Sequence, residues 1–404
     1  MKKMTPAPFL LAALFLLSLA VAAPAQKLVD ASAKTNAGRQ EVPAAPRAQA
    51  ATDAQLVDAQ ATRSALSVFP DSQAVLFVNV QRVINEALPR VLPPGELDKA
   101  VAEARKVGVD LRGIEYLVAG VRFADPPPAS GAPEFVVLLK GNFSADALMS
   151  LMRLGLDTQG IKPTQETYNS RTINIVNLTE ALKPKDGSTA APSKIPYTEI
   201  GATALDDHTL VIGVPGYVRA AIDAAGAGQG RLKSGLIDLA ASHSNALTSL
   251  TIEVPESLPE YLRKTGMPPN EEIDRILSWL KQLSLSTGMT ATDFNLQAAV
   301  QTDNAEHASA ISGMIRMAQT AAESAARADI ERKRTKPRES KQSQAALAAL
   351  NTFVNRVEGN VVRLAISVPQ TTVAELMKKS TPPAAPEKGK APVRRRGRRT
   401  AKRG

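Results

Sequence analysis

A weak internal duplication constrains the fold of this chain more than any other feature of its sequence. The β-rich segment 74–80 (AVLFVNV) has a similar counterpart about 174 positions later, at 247–254 (LTSLTIEV). In both copies a helical stretch follows, then two β-rich segments, a second helix, more β-rich sequence and a last helix. Such self-similarity predicts two structural units of the same architecture.

The matching segments can be followed through both copies. The further matching pairs are 114–123 with 282–291, 135–141 with 295–302, and 204–223 with 358–377. In the last pair both segments turn from strand to helix at a Val-Pro pair. The predicted helices are 96–107 and 145–154 in the first copy, and 270–281 and 305–322 in the second. Pro215 and Pro369 mark equivalent places, because a proline in the first turn of a helix lacks an N–H that would have no helical partner there.

Alternation along the strands indicates how the sheets are built. Leu296, Ala298 and Val300 share one face of their strand, a period of two that favours an antiparallel sheet with one buried face. We therefore expect an α+β fold of two similar lobes, each an antiparallel sheet backed by helices. The first lobe is expected at residues 65–235 and the second at 236–379.

The second copy has the longer helical region. Small and apolar residues recur at steps of three and four from Ile311 to Ala328, a charged break containing Pro337 follows, and a second helical pattern runs from Leu347 to Val357. This predicts a helical hairpin with an alanine-lined seam in the second lobe. Two interpretations are open: the hairpin closes on its own lobe, or it binds a protein partner or a second copy.

The N-terminus has the pattern of a secretory signal peptide at residues 1–25. Lys2 and Lys3 precede the apolar run 9–21 (FLLAALFLLSLAV), which ends in small residues that form an A-x-A cleavage site. The run is shorter than the roughly 20 apolar residues that span a bilayer. We expect export to the periplasm or the exterior, with cleavage near Ala22 to Ala25; retention as a membrane tether is the alternative. Residues 26–64, rich in Ala, Gln, Asp and Pro, are predicted to be a disordered spacer.

The basic charge of the chain is concentrated at its C-terminus. From Thr381 onward nine Lys and Arg residues face the single acidic Glu387, a balance of +8, and with the two lysines of the signal peptide this accounts for the whole net charge of +10. The body is therefore neutral, and residues 380–404 are predicted to be a disordered tail that binds anionic envelope polymers or a membrane surface through its charge. The candidate binding residues are Arg394, Arg395, Arg396, Arg398, Arg399, Lys402 and Arg403. Sequence-specific recognition of nucleic acid is not expected.

Motifs that carry chemistry are scarce. The sequence has no cysteine, which excludes disulfides, thiol nucleophiles and Cys-ligated metals. It has no H-E-x-x-H, no G-x-S-x-G and no phosphate-binding glycine loop. The glycine-rich stretch 225–230 follows a helix and is typical of a helix C-cap, and Trp279 is expected to pack in the core. We expect no enzymatic activity, no cofactor and no metal.

Three histidines are the remaining candidates for catalysis. His208 follows Asp207 in a predicted hairpin turn, His243 follows Ser242 in a loop after a helix, and His307 lies at the start of a helix. A hydrolase that uses Ser242 with His243, or Asp207 with His208, is therefore a third hypothesis.

Three segments resemble exported bacterial protein families of unknown function built from hairpin–helix units. They are AVLFVNV at 74–80, FVVLLKG at 135–141 and DDHTLVIG at 206–213, which follow a signal peptide and an Ala/Pro spacer. The resemblance implies a duplicated α+β body and brings no catalytic residues. We expect a non-enzymatic binding or scaffold protein of the envelope; the alternative is a small-ligand-binding protein with its site between the two lobes.

Overall fold

The computed structural model describes residues 60, 62–106, 108–128, 130–158, 160–181, 197–228, 230–242, 246–264, 270–333 and 337–374. Within them the chain has the α+β fold that the sequence predicts, with helices packed against an antiparallel sheet of twelve strands. The signal peptide at 1–25, the 26–64 spacer apart from residues 60 and 62–64, and the 380–404 tail lie outside the described residues, so these assignments stay predictions there. Residues 60 and 62–64, predicted to be disordered, are helical, and Thr62 is buried. No helix within the described ranges has both the length and the apolar character needed to cross a membrane.

Twelve strands in the described part of the chain form one sheet. In chain order they are β1 (Ala74–Val78), β2 (Ile114–Arg122), β3 (Glu134–Gly141), β4 (Thr164–Tyr168), β5 (Arg171–Asn177), β6 (Glu199–Asp206), β7 (Thr209–Gly213), β8 (Ala246–Glu253), β9 (Leu280–Met289), β10 (Asp293–Thr302), β11 (Val354–Glu358) and β12 (Val361–Pro369). Across the sheet their order is β11-β12-β10-β9-β8-β1-β2-β3-β7-β6-β5-β4. All neighbours are antiparallel.

The helices connect these strands. They are α1 (Val80–Arg82, continued by a π-helical turn Val83–Ala87 and by Leu88–Val91), α2 (Glu96–Lys106), α3 (Ala145–Thr158), α4 (Leu178–Ala181), α5 (Pro215–Ala227), α6 (Ser234–Ala241), α7 (Leu258–Lys264), α8 (Glu271–Trp279), α9 (Ala305–Arg332) and α10 (Pro337–Leu350). A short 3-10 turn, Leu111–Gly113, precedes β2. Pro215 stands at the start of α5, and Gly228 caps its end in the left-handed conformation with a φ of 62°, both as the sequence predicts.

The sheet is continuous through both halves of the chain. Strands β1 to β7 form one half and β8 to β12 the other, and the halves meet where β1 pairs antiparallel with β8. Outward from that junction, β1-β2-β3-β7-β6 and β8-β9-β10-β12-β11 follow the same order, and the first half adds the hairpin β4–β5 at its edge. Pairing β1 with β8 satisfies backbone groups that two separate sheets would leave unpaired at their edges.

The predicted lobe boundary falls within a helix. Residues 235 and 236 both belong to α6, whose Leu236 and Ala240 pack with Val75 and Phe77 of β1 in the main core. This helix therefore ties the chain between the halves to the junction strand.

The main core lies on one face of the first half. Leu66 and Phe69 are buried there, as are Val118 of β2 and Tyr217 and Val218 of α5. The Tyr217 hydroxyl donates to the carbonyl oxygen of Asp71 at 2.5 Å, and the Tyr217 ring lies 4.7 Å from the guanidinium carbon of Arg122. Burial, the largest influence, raises the pKa of Tyr217 to about 12, so the phenol stays protonated as a hydrogen-bond donor.

The hairpin of α9 and α10 packs against its own half. Ala308 and Ile311 of α9 are buried with Val362 of β12 in a separate cluster, and Trp279 packs against that cluster. Asp329 of α9 accepts a hydrogen bond at 2.5 Å from Ser343 of α10 and so links the two helices. Whether the outer surface of the hairpin also binds a partner stays a prediction.

Candidate functional site

The two faces of the sheet differ in composition. We name them the Leu76 face and the Phe77 face, because these neighbours in β1 point to opposite sides. On the Phe77 face, the residues next to Phe77 on the neighbouring strands of the first half are apolar. In the second half the residues that continue this row are Ser249 of β8 and Ser286 of β9. On the Leu76 face the row through Leu76 is apolar in both halves, and this makes it the larger candidate surface.

A row of apolar side chains crosses the Leu76 face over eight strands. Paired positions place the row in this order: Ile212, Val137, Ala119, Leu76, Leu250, Leu285, Ala298 and Leu364. All eight side chains are partly exposed. Residues that lie directly opposite one another on neighbouring strands share a face, so the row is one continuous apolar surface.

Helices cover this row only at its two ends. At the first end Ile212 packs with Met149 and Met152 of α3, and at the other Leu364 packs with Ile311 of α9. The six residues between belong to none of the four buried clusters of the described chain. We call these six the central band: Val137, Ala119, Leu76, Leu250, Leu285 and Ala298.

An apolar groove adjoins the central band in the second half. It encloses about 350 Å³ between α8, α9 and the sheet. Leu283 and Val300, which line it, lie two residues along their strands from Leu285 and Ala298 of the band. Its other lining residues are also apolar: Ile276, Leu280, Ile311, Met314, Ile315 and Ala318.

The most exposed large apolar side chains lie mainly on the bordering helices. Leu154 of α3 is 60% exposed, Ile273 of α8 is 39% exposed and Met317 of α9 is 67% exposed. Scattered exposed apolar residues are ordinary in soluble proteins, whereas a contiguous apolar surface marks a contact site. The continuous band and groove are therefore the evidence for a site, and the three exposed side chains alone are not.

Of the two pairs that the sequence proposed for catalysis, the structure describes Asp207 with His208. His208 is exposed in the turn between β6 and β7, where its Nδ1 lies 3.0 Å from the carbonyl oxygen of Phe143. Its backbone N–H donates to Asp206 at 2.8 Å, so this aspartate stabilises the turn. Asp207 is exposed. His243 lies outside the described residues, and with it the proposed Ser242–His243 pair.

The third histidine belongs to a helix start. His307 Nδ1 lies 2.6 Å from Asp303 Oδ1, and its ring stacks on Trp279 with centroids 4.2 Å apart. The hydrogen bond from His307 holds the pKa of Asp303 below its usual range. Among the described residues no three His, Asp or Glu side chains are placed to hold a metal ion. The seven basic residues proposed for the tail, from Arg394 to Arg403, lie outside the described chain.

Sequence reasoning missed the central band because the band exists only once the strands are ordered. Leu76, Leu250 and Leu285 come from separate parts of the sequence, and each looks like an ordinary core residue in its own strand. The pairing of β1 with β8 brings them together, and no local signal predicts that pairing.

Comparisons with known proteins leave the function open. No family model matches the chain, and no curated protein sequence matches it significantly. Three crystal forms of TP0453 are similar in structure. Form III has a TM-score of 0.39 at 12% identity, form IV 0.37 at 11% and form I 0.36 at 11%. The alignments cover 78%, 77% and 78% of this chain and 97%, 95% and 96% of the respective TP0453 chains. At this distance no function is transferred from them.

Proposed function

We propose that this chain is a non-enzymatic binding protein of the cell envelope, which holds an amphipathic helical segment of a partner protein on the central band. The observation that carries the proposal is the uncovered apolar row between α3 and α9. A sheet with an apolar face is stable when another element covers that face. Here α3 and α9 pack at the ends of the row, and the six residues between them stay partly exposed, although Ala74 and Val78, which flank Leu76 on the same face, are buried.

The size of the uncovered region supports a helical occupant. Six strands about 4.8 Å apart span about 24 Å, and a helix with its side chains is about 10–12 Å across. The distance between α3 and α9 therefore matches the width of about two helices, and α1 already packs at one end of this region, where its Ala87 contacts Leu247 and Met289. An amphipathic helix also satisfies its own backbone hydrogen bonds, which suits a surface whose side chains offer none.

The rest of the sequence supplies no candidate to cover the band. Outside the described residues the longest apolar run is 9–21, which the predicted cleavage near Ala22 to Ala25 removes. The segments 26–64, 182–196 and 380–404 are rich in Ala, Pro, Gly or charge and have little apolar surface to bury. The proposal therefore places the occupant on a different molecule.

The basic tail supports a second contact of the same protein. Its charge of +8 favours any polyanion, and an exported protein meets anionic polymers and lipids in the envelope. In this proposal the tail holds the protein near an anionic surface while the band binds the partner. The two contacts differ in physical origin, so salt separates them: the tail contact weakens as salt rises and the apolar contact does not.

The test uses the mature chain, residues 26–404, as wild type and with Leu250→Glu in the centre of the band. The matched control is Gln297→Glu, because Gln297 is exposed and its neighbour Ala298 belongs to the band on the other face. Proteins retained from envelope extract at high salt are identified, and each is then purified and titrated against the three chains. We expect one partner to bind the wild type and the control, and to bind the Leu250→Glu variant at least tenfold more weakly.

Hydrogen exchange on the complex then identifies the partner's contact segment, which we expect to be an amphipathic helix. Three results would contradict the proposal. The first is a partner that binds all three chains equally. The second is a wild-type chain that retains no protein and binds only hydrocarbon probes or detergent, in a way that Leu250→Glu weakens. The third is a wild-type dimer that Leu250→Glu dissociates, which would make a second copy the occupant.

A further inference from the structure

A second cavity lies on the opposite side of the sheet, within the first half. It encloses about 640 Å³ on the Phe77 face, between strands β2, β3, β6 and β7 and the C-terminal end of α5. Asn169 and Arg171 of the β4–β5 hairpin, together with Arg231, complete its wall. Ligand cavities for small molecules are typically about 300–1,000 Å³, so this one is large enough for an organic molecule.

The cavity gathers three cations that form no ion pair with a described residue, although the charges of Lys140 and Asp206 interact across it. Lys140, Arg171 and Arg231 line it, and none of them makes a hydrogen bond or salt bridge through its side chain within the described chain. Lys140 extends from the middle of the sheet and is partly buried, whereas the two arginines are exposed at the rim. Guanidinium groups match carboxylate and phosphate oxygens in geometry as well as charge.

The two carboxylates of the cavity are already engaged. Asp223 accepts hydrogen bonds from the Tyr168 hydroxyl at 3.0 Å and from Asn169 Nδ2 at 2.8 Å. Asp206 accepts from Thr209 Oγ1 at 2.9 Å and from the backbone N–H of His208. Three cations against two engaged carboxylates leave the lining with an excess of one positive charge.

The lining also offers a neutral donor and an apolar wall. Burial, with smaller contributions from Glu115 and Asp206, raises the pKa of Tyr116 to about 12, so its hydroxyl stays protonated. That hydroxyl has no hydrogen-bond partner among the described residues. Leu138 and Ile222 are buried at the base of the cavity and provide contact for a hydrocarbon group.

We infer that this cavity binds a small organic anion, with its carboxylate or phosphate group held by Lys140, Arg171 and Arg231 and its apolar part against Leu138 and Ile222. The volume is much larger than a bare inorganic anion requires, and part of the wall is apolar. The site is independent of the proposed function, because it lies on the other face of the sheet from the central band.

The test is isothermal titration of the chain 26–404 with hexyl phosphate, hexanoate, hexanol and inorganic phosphate. We expect hexyl phosphate or hexanoate to bind in the submillimolar range and to bind more tightly than hexanol and inorganic phosphate. The two organic anions distinguish a phosphate site from a carboxylate site. The same tail is present in every variant, so binding by the tail does not change between them.

Variants locate the bound anion. We expect Arg171→Gln and Arg231→Gln each to weaken binding about tenfold, and Arg316→Gln, which replaces an exposed arginine on α9, to leave it unchanged. Asp223→Asn removes one negative charge from the lining, so we expect it to strengthen binding, an effect that a merely structural role would not produce. The inference fails if neither organic anion binds, if inorganic phosphate binds as tightly as hexyl phosphate, or if Arg171→Gln and Arg231→Gln bind like the wild type.

Discussion

Leu76 of β1 lies directly opposite Leu250 of β8, and this pair stands at the junction of the two halves of the sheet. Both side chains are partly exposed, although the next residue in each strand is buried: Phe77 after Leu76 and Thr251 after Leu250. One side of the junction is therefore buried by the chain's own helices, whereas on the other side Leu76 and Leu250 stay partly exposed beside the buried Ala74 and Val78. The proposed binding function depends on that asymmetry.

The asymmetry predicts different costs for removing neighbouring side chains. Phe77 is 4% exposed in the main core, so Phe77→Ala should lower the free energy of unfolding by about 3–5 kcal/mol. Leu76 is partly exposed and belongs to none of the buried clusters. Leu76→Ala should therefore lower the free energy of unfolding by less than about 2 kcal/mol, which is below the loss measured for buried leucines. Urea denaturation of both variants measures the difference. If Leu76→Ala lowered the free energy of unfolding as much as Phe77→Ala does, another segment of the chain would have to cover the band already.

Gly120 of β2 leaves space that Phe69 and Ser72 fill. A Cβ at this position would collide with the Phe69 ring and would lie 2.6 Å from Ser72 Oγ. Gly120→Ala should therefore destabilise the protein by about 1–3 kcal/mol or more, since the core must shift to admit the methyl group. Thermal unfolding provides the measurement.

Gly155 of α3 is the matched control for that substitution. A Cβ there meets no atom within 4 Å, so Gly155→Ala should stabilise the helix by about 0.5–1 kcal/mol through its higher helix propensity. If Gly120→Ala and Gly155→Ala changed the stability of the protein in the same direction, the packing described around Gly120 would be incorrect.

The sequence allowed much of the fold to be predicted because the informative signals are local. Pro215 after β7 marks the start of α5, the glycines after residue 225 mark its end, and alternation in Leu296, Ala298 and Val300 identifies β10 as a strand with one apolar face. Helix ends were less accurate. The helical pattern predicted as far as Ala328 continues to Arg332, since its Ala, Glu and Arg residues favour helix. The second helix, predicted from Leu347 to Val357, instead runs from Pro337 to Leu350, and Val357 belongs to β11.

The arrangement of the halves could not be predicted in the same way. The strand AVLFV at 74–78 is apolar on both sides, a pattern typical of a strand covered on both faces. Local sequence does not show that β8 lies beside it or that Leu76 stays partly exposed. The cavity with Lys140, Arg171 and Arg231 was missed for the same reason, since these residues come from three separate parts of the chain.

The ion pair between Glu166 of β4 and Arg219 of α5 should contribute to stability in a pH-dependent way. Arg219 donates to both carboxylate oxygens, at 2.8 and 2.6 Å, and this hydrogen bonding holds the pKa of Glu166 below its usual range. A carboxyl with a lowered pKa in the folded state stabilises the protein above the unfolded pKa of about 4.3. That contribution is lost as the pH falls through the lower folded value.

The loss is measured by urea denaturation at pH 6 and pH 3. We expect Glu166→Gln to reduce the drop in stability between these two pH values, and Arg219→Gln to do the same, because either substitution removes the pair. The effect should be small, since both groups are partly solvent-exposed and surface pairs contribute little. An unchanged drop in both variants would show that the pair is not maintained in solution.

The basic tail should bind polyanions by charge alone, and salt dependence measures this directly. With duplex DNA as a generic polyanion probe, the logarithm of the affinity falls with the logarithm of salt concentration with a slope of about −0.9 per phosphate neutralised. A tail with a balance of +8 therefore predicts a slope no steeper than about −7. A chain that ends at Lys379 should lose this binding, since the body is neutral. Replacement of the five arginines between residues 394 and 399 by Gln should make the salt-dependence slope shallower by about four to five. Binding by the shortened chain with an unchanged slope would place the contact on the folded body, and a strong preference for one DNA sequence would contradict a contact made by charge alone.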